Sequence, residues 1–250
     1  MIFNAHYPYI GGGGGMPKFT YTGQYSFIDD GSGEWRIKFL TSGVFTPLRN
    51  MAIDAFLVGG GGGSKGGSSN TSTTAGAGGG YTATHKAINL TSGTAYNIVV
   101  GAGGVGNTGG QTSAFGNSVD GGSPGETSSN TAYGGSGGSG GGRAPSRGSA
   151  YDGGSDGADG GGYSDLSPNN GKGQGTTTRE FGEPNGDLYA GGGGGHNSDG
   201  NAAGGNGGGA DGGQSAQDNT GGGAGGALKN TTTSGGSGIV IIRKHKEATA

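Results

Sequence analysis

Between Gly121 and Gly238, 43 of 118 residues are glycine, and this stretch runs straight into "GIVIIRK". Four consecutive β-branched residues, Ile239 to Ile242, demand burial on both sides of a strand. The Gly, Ser, Asn, Asp, Thr and Ala that precede them offer no core. The strand must therefore return to pair with elements before residue 120. The glycine-rich stretch is then an insertion within one domain, since a flexible linker has no reason to end by rejoining the core.

The first half of the chain supplies those partners. In "KFTYTGQYSFIDD" Phe19, Tyr21, Tyr25 and Phe27 alternate, and "DDGSG" is a turn signal. In "EWRIKFLTSG" Trp35, Ile37 and Phe39 share one face, with Arg36 and Lys38 on the other. "MAIDAFLV" (51–58), "YTATHKAINL" (81–90) and "AYNIVV" (95–100) are further strands. No ten-residue window carries the i, i+3, i+4, i+7 apolar pattern of a helix. Short strands punctuated by Gly, Ser, Asn and Asp point to an all-β sandwich or jelly roll with almost no α-helix.

One stretch invites a different reading. "YNIVVGAGGVG" places Gly101, Gly103 and Gly106 at the spacing of a dinucleotide-binding turn. Such a turn must open a helix, whose free N–H groups and dipole hold the pyrophosphate. The residues that follow, "NTGGQTSAFGNSVDGG", have no helical period. The motif is read instead as a strand running into a glycine turn, and no enzyme activity and no cofactor are expected.

Two states compete for the glycines. Gly/Ser-rich segments are ordinarily flexible coils, and ordering glycine costs about 0.5–1 kcal/mol more than ordering alanine. The alternative is a bundle of polyglycine type II helices, extended three-residue turns whose N–H and C=O groups all point outward to neighbouring segments. At about 0.5–1.5 kcal/mol net per bond, a few dozen lateral hydrogen bonds offset that entropy, provided the bundle forms cooperatively. The expected organisation is an N-terminal arm over 1–17, a sandwich over 18–120 plus 238–246, and a polyglycine insertion over 121–237. "RAPSRGSAYD", "YSDLSPNN" and "TTTREFGEPNGDLY" then join bundle elements at their ends.

Charge and composition exclude several function classes. Cysteine is absent and net charge is −3, which removes disulfide, thiolate and iron–sulfur chemistry and any general attraction for nucleic acid. No apolar run approaches the roughly 18–20 residues of a membrane helix, and the first residues lack the pattern of a secretory signal. The four histidines stand apart, and "YDGGSDGADGGGYSD" lacks the strict repeat of a calcium-binding solenoid, so no metal site is expected. What remains as binding chemistry is loop side chains: Tyr133, Arg143, Arg147, Tyr151, Tyr163, Arg179, Phe181, Tyr189 and His196. Aromatics in such loops either pin the loop to the bundle or form a contact platform, and the sequence leaves both open.

"WRIKFLTSGVFTP", "DAFLVGGGGG", "GGGYTATHKAINLTSGTAYNIVVGAGG", "GGQTSAFG" and "GGSGIVIIRK" resemble the successive blocks of the glycine-rich domain of phage and prophage tail and fibre proteins. The layout is also similar to the glycine-rich extracellular region of the anaplastic lymphoma kinase and leukocyte tyrosine kinase receptors. The resemblance implies a tumour-necrosis-factor-like sandwich carrying polyglycine helices in a hexagonal array. It further implies a virion protein, made in the bacterial cytoplasm, that attaches a tail or fibre tip to a bacterial surface receptor, glycan or protein. Other virion proteins would be its partners. The alternative is a structural decoration or assembly protein of the capsid or tail. Sandwiches of this type commonly trimerise, yet a single-chain bundle covers surfaces that trimers use, so a homotrimer stays open. The receptor kinases are secreted and contain cysteine, so their biology does not carry over.

Overall fold

The computed structural model describes residues 2–3, 17–68, 73–162 and 170–246. Most of the expected arm, 4–16, lies outside the described residues, while Ile2–Phe3 pairs with Ser26 and Tyr25 at a sheet edge. Among the described residues, two antiparallel sheets face each other. The six-stranded sheet runs Ile2–Phe3, Tyr25–Gly31, Glu34–Phe39, Ile239–Lys244, Met51–Val58, Thr82–Leu90. The five-stranded sheet runs Asn117–Val119, Thr112–Ala114, Tyr96–Val99, Gly43–Pro47, Phe19–Tyr21. Among the described residues, helix is confined to a single 3-10 turn at Glu180–Gly182.

Period-two alternation sorts the side chains between faces. Trp35, Ile37, Phe39, Ile53, Leu57, Val240 and Ile242 point into the sandwich and meet Phe19, Phe45 and Ile98 from the other sheet. Aromatic rings interlock there, with Phe39 5.4 Å from Phe45 and 4.7 Å from Tyr21. The returning strand sits between Glu34–Phe39 and Met51–Val58, as its composition requires. Its other two apolar residues, Ile239 and Ile241, join Phe56 and Val58 on the far face of the sheet, under the 178–190 segment.

The glycine-rich segments form the second layer. Along 75–81, successive N–H groups serve three neighbours in rotation. Ala75, Gly78 and Tyr81 donate to Glu126, Ser123 and Asp120; Gly76 and Gly79 donate to Gly142 and Ser139; Ala77 and Gly80 donate to Ala224 and Gly221, all at 2.8–3.0 Å. Its carbonyls accept from Gly135 and Gly138, from Gly193, and from Gly62 and Gly59. A repeat of three with six neighbouring segments is the polyglycine II geometry in a hexagonal array. Segments 59–63 and 191–195 are coordinated in the same way. The polyglycine layer therefore begins at Gly59 and not at residue 121: excursions 59–63, 75–81 and 101–110, which leave and re-enter the sandwich, supply central elements of the bundle.

The two layers share one register. Val58 pairs with Thr82 in the sheet, and the ladder continues as Gly59 N–H to Tyr81 O and Gly62 N–H to Gly78 O. Val58 also pairs with Ile239; three residues on, Gly61 donates to Gly236, and three further, Ser64 pairs with Thr233. The pairing of Ile98 with Ala114 likewise extends to Gly110 N–H on Ala102 O. Each step along one strand is matched on its partner as a two-fold ribbon becomes a three-fold helix.

Candidate functional site: the distal tip of the bundle

At the end away from the sandwich, the polyglycine segments return to short β pairs. Thr73–Thr74, Thr127–Ser128, His196–Asn197 and Gly200–Asn201 make one small sheet, and Thr131–Ala132 pairs with Ala144–Pro145. Ala75, Ala132 and Ala144 are fully buried beneath it. Ala132 stands opposite Ala144, and the register runs on to the Gly141 N–H bonded to Gly135 O at 2.8 Å. Tyr133 consequently stands opposite Arg143. Because side chains alternate, the inward alanines put Tyr133 and Arg143 on the outward face.

The neighbouring segment joins them directly. Tyr151 N–H donates to Arg143 O at 3.0 Å, and Gly195 N–H donates to Tyr151 O at 3.0 Å, which brings His196 alongside. Tyr133 is 40% exposed; Arg143, Tyr151 and His196 are half-buried and Arg147 is exposed. The loop between Arg143 and Tyr151 is tied down by backbone acceptors. Asn197 Nδ2 donates to Pro145 O and to Gly148 O, both at 2.8 Å, and Gly148 N–H donates to Asp199 Oδ2 at 2.9 Å. His196 Nδ1 lies 2.5 Å from Asn201 Oδ1.

Two of the acids at this end accept backbone N–H groups, Asp152 from Ala203 and Asp211 from Gly204, at 2.9 and 2.8 Å, while Glu126, whose N–H donates to Tyr133 O at 3.1 Å, is exposed. Among the described residues Lys65, Arg143 and Arg147 make no ion pair, and Arg143 Nε is buried with no hydrogen-bond partner. An external acceptor reaches this guanidinium through its Nη groups, since Nε itself has no accessible surface.

Three residues expected in loops lie at the opposite end. Arg179 is ion-paired to Asp156 at 3.2 Å and donates to Gly186 O. Phe181 and Tyr189 are buried, their rings 6.1 and 5.6 Å from Phe56. They form no exposed platform; of the two roles open to them, they pin the loop. Phe181 adopts a left-handed φ of 56° to insert its ring beneath Arg243, 4.1 Å away. Tyr163 lies outside the described residues.

Sequence reasoning missed the charged clamp that holds this segment on the sheet. Glu180, 2% exposed, receives Arg36 at 2.8 Å and Lys38 at 3.4 Å. Lys38 also donates to the Tyr189 hydroxyl at 2.9 Å. Burial raises the Tyr189 phenol pKa, against the opposing pull of Lys38. Asp54, 1% exposed, faces Arg243 at 3.2 Å and His245 at 2.6 Å. Burial pushes its pKa up, but hydrogen bonds from His245, the Ala87 N–H and Arg243 outweigh it and hold the carboxyl below the usual range. The signal was present: an acid inside the apolar run "MAIDAFLV" needs a buried cation, and "IIRK" supplies one. A cleft of about 300 Å³ lined by Trp35, Arg36, Glu180, Phe181, Glu183 and Arg243 opens beside the clamp. Arg36 and Arg243 there are both engaged with acids.

The dinucleotide spacing falls on a chain reversal. At Gly106, φ 67°, the chain turns back, and 107–110 returns towards the sandwich, with Gly110 bonded to Ala102. No helix opens there to receive a phosphate.

The model of a glycine-rich domain family matches residues 40–245, most of the chain, which therefore belongs to that family. No curated protein matches the sequence.

Proposed function

We propose that this chain is a non-enzymatic phage or prophage virion protein, a tail or fibre-tip adhesin that uses the polyglycine bundle to present loops to a bacterial surface. The observation that carries the reading is the tip. Tyr133, Arg143, Tyr151 and His196 come from four separate chain segments and meet on adjacent hydrogen-bonded backbones, with Arg147 on the loop between. A scaffold held by backbone bonds places few demands on loop sequence, so the tip residues are free to be chosen for contact. The blocks shared with phage glycine-rich domains support a virion setting, with other virion proteins at the sandwich end.

Adsorption tests this. Purified chain is expected to bind intact host bacteria and to compete with phage particles, and Tyr133→Ala/Tyr151→Ala/Arg147→Ala to do neither at unchanged thermal stability. Unchanged adsorption by virions carrying the triple variant, together with defective particle assembly, would instead assign the chain to decoration or assembly.

A further inference from the structure

The chemistry of the tip specifies its ligand more narrowly, given the adhesin reading on which this step rests: we propose that it takes an acidic polysaccharide built of carboxylated sugar rings. Three observations converge. Of the tip's acids, Asp152, Asp199 and Asp211 accept backbone N–H groups and Glu126 is exposed beside Tyr133, while Arg143 and Arg147, four residues apart on one tied-down loop, make no ion pair with any of them among the described residues. Arg143 keeps a buried Nε with no partner. A guanidinium that is partly desolvated in the free protein loses little more hydration on meeting a carboxylate, and its planar fork matches both carboxylate oxygens.

The second element is aromatic. Tyr133 stands opposite Arg143 across the hairpin and Tyr151 follows on the next hydrogen-bonded segment. The backbone of Arg143 therefore lies between the two backbones that carry these tyrosines, one of them 40% exposed. Tyrosine rings offer apolar faces with a polar rim, suited to the apolar faces of pyranose rings at low entropic cost. A polymer of acyclic polyol phosphates satisfies the arginines but leaves the rings uncovered, and a neutral glycan covers the rings but leaves Arg143 unpaired. A polyuronate does both at once. Because the groups come from hydrogen-bonded segments on a rigid bundle, their spacing is set before the ligand arrives.

The test uses the full chain and three probes: polygalacturonate, dextran, and poly(glycerol phosphate). Polygalacturonate is expected to bind immobilised protein, and to weaken about tenfold or more in Arg143→Ala/Arg147→Ala, since surface ion pairs of this kind are screened and lost together. Binding should also fall as salt rises from about 50 to about 500 mM. Tyr133→Ala/Arg147→Ala, which changes outward-facing groups and leaves the buried Nε alone, guards against misfolding and should show the same direction of loss. Equal binding of poly(glycerol phosphate) would remove the need for rings, and dextran binding unchanged by either variant would leave the cations idle; each overturns the inference, as does failure of polygalacturonate to bind. Intact cells assayed in parallel separate the two proposals. Cells bound without competition from polygalacturonate sink the acidic-sugar site and keep the adhesin, whereas polygalacturonate binding without cell binding does the reverse.

Discussion

Replacing Gly193 with alanine asks whether the bundle is as close-packed as its hydrogen bonds imply. Gly193 lies within 191–195, where its N–H donates to Ala77 O and its carbonyl accepts from Gly142, both at 2.8 Å. A Cβ at this position would lie closer than 3.0 Å to the Ala224 carbonyl oxygen, and the clash is with backbone, not with a movable side chain. Ala224 is itself anchored, accepting from Ala77 and donating to Gly62 at 2.9 and 3.0 Å. Neither segment can retreat without stretching the Gly193–Ala77, Gly142–Gly193 and Ala77–Ala224 bonds. Three bonds at about 1 kcal/mol each, with about 1–3 kcal/mol for a buried group left unpaired, give a loss of about 4–6 kcal/mol. Alanine's more restricted unfolded chain returns about 0.4–1 kcal/mol. The net is about 4 kcal/mol, or about 8–16 °C in Tm for a chain of this size. Gly116 is the control: it has φ +78° and nothing within 4 Å of a Cβ. Gly116→Ala therefore costs only the left-handed backbone penalty, about 1–2 kcal/mol. Differential scanning calorimetry of both variants reads the contrast. Equal shifts, or Gly193→Ala within about 1 kcal/mol of the parent, would refute close packing at the bundle centre, because a loose array absorbs a methyl group at the cost of backbone conformation alone.

Amide hydrogen exchange should show Gly78, Gly79 and Gly193 as slow as Ile241, since each donates to a carbonyl inside the array or sheet; exchange at the rate of free coil would mean the array is not populated. Phe181→Ala should destabilise by about 3–5 kcal/mol through loss of its buried ring while leaving cell binding intact at permissive temperature, because Phe181 lies at the sandwich end; loss of binding by a folded Phe181 variant would place the receptor surface there instead. For Asp54, whose folded pKa is lowered, the stabilising contribution is complete above its unfolded value near about 3.9 and disappears as pH falls through the lower folded value. The stability difference between neutral pH and about pH 3 should shrink in Asp54→Asn by urea titration, and an unchanged difference would show that Asp54 titrates as if exposed.

Side chains that face a core announce themselves in sequence; backbone registers do not. The alternation of Trp35, Ile37 and Phe39 against Arg36 and Lys38 gave the faces of Glu34–Phe39, and the continuous run Ile239 to Ile242 required a strand covered on both sides, which the 178–190 segment completes. That segment itself read as a hydrophilic loop, because Phe181 and Tyr189 are separated by seven residues of turn chemistry and only the Glu180 clamp reveals which face they meet. The start of the polyglycine layer was hidden for a related reason. A repeat of three carried by N–H and C=O groups leaves no trace among identical glycines, so 59–63, 75–80 and 101–110 read as part of the sandwich, with Gly101 to Gly106 as a turn. At the tip, the opposition of Tyr133 and Arg143 depends on a pairing fixed by Ala132, Ala144 and the Gly135–Gly141 bond. Nothing in the spacing of the two residues encodes it.

The continuity of register explains how a bundle with so little side-chain information can form. An isolated polyglycine array must choose among many equivalent slips, since moving one segment by three residues restores every hydrogen bond. Here the choice is made in the sandwich. Once Val58 pairs with Thr82 and Ile239 through side chains that tolerate no slip, Gly59, Gly61 and Gly62 meet Tyr81, Gly236 and Gly78 with no further decision. Each strand that leaves the sheet carries its register outward, and the β pair at the tip between Ser64 and Thr233 falls on the register of Val58 with Ile239. The sheet acts as the nucleus whose loop-closure cost is met by apolar burial, after which each added glycine gains lateral bonds without a new search. A chain lacking the returning strand 239–244 would retain all of its glycines and still lose the template that aligns them.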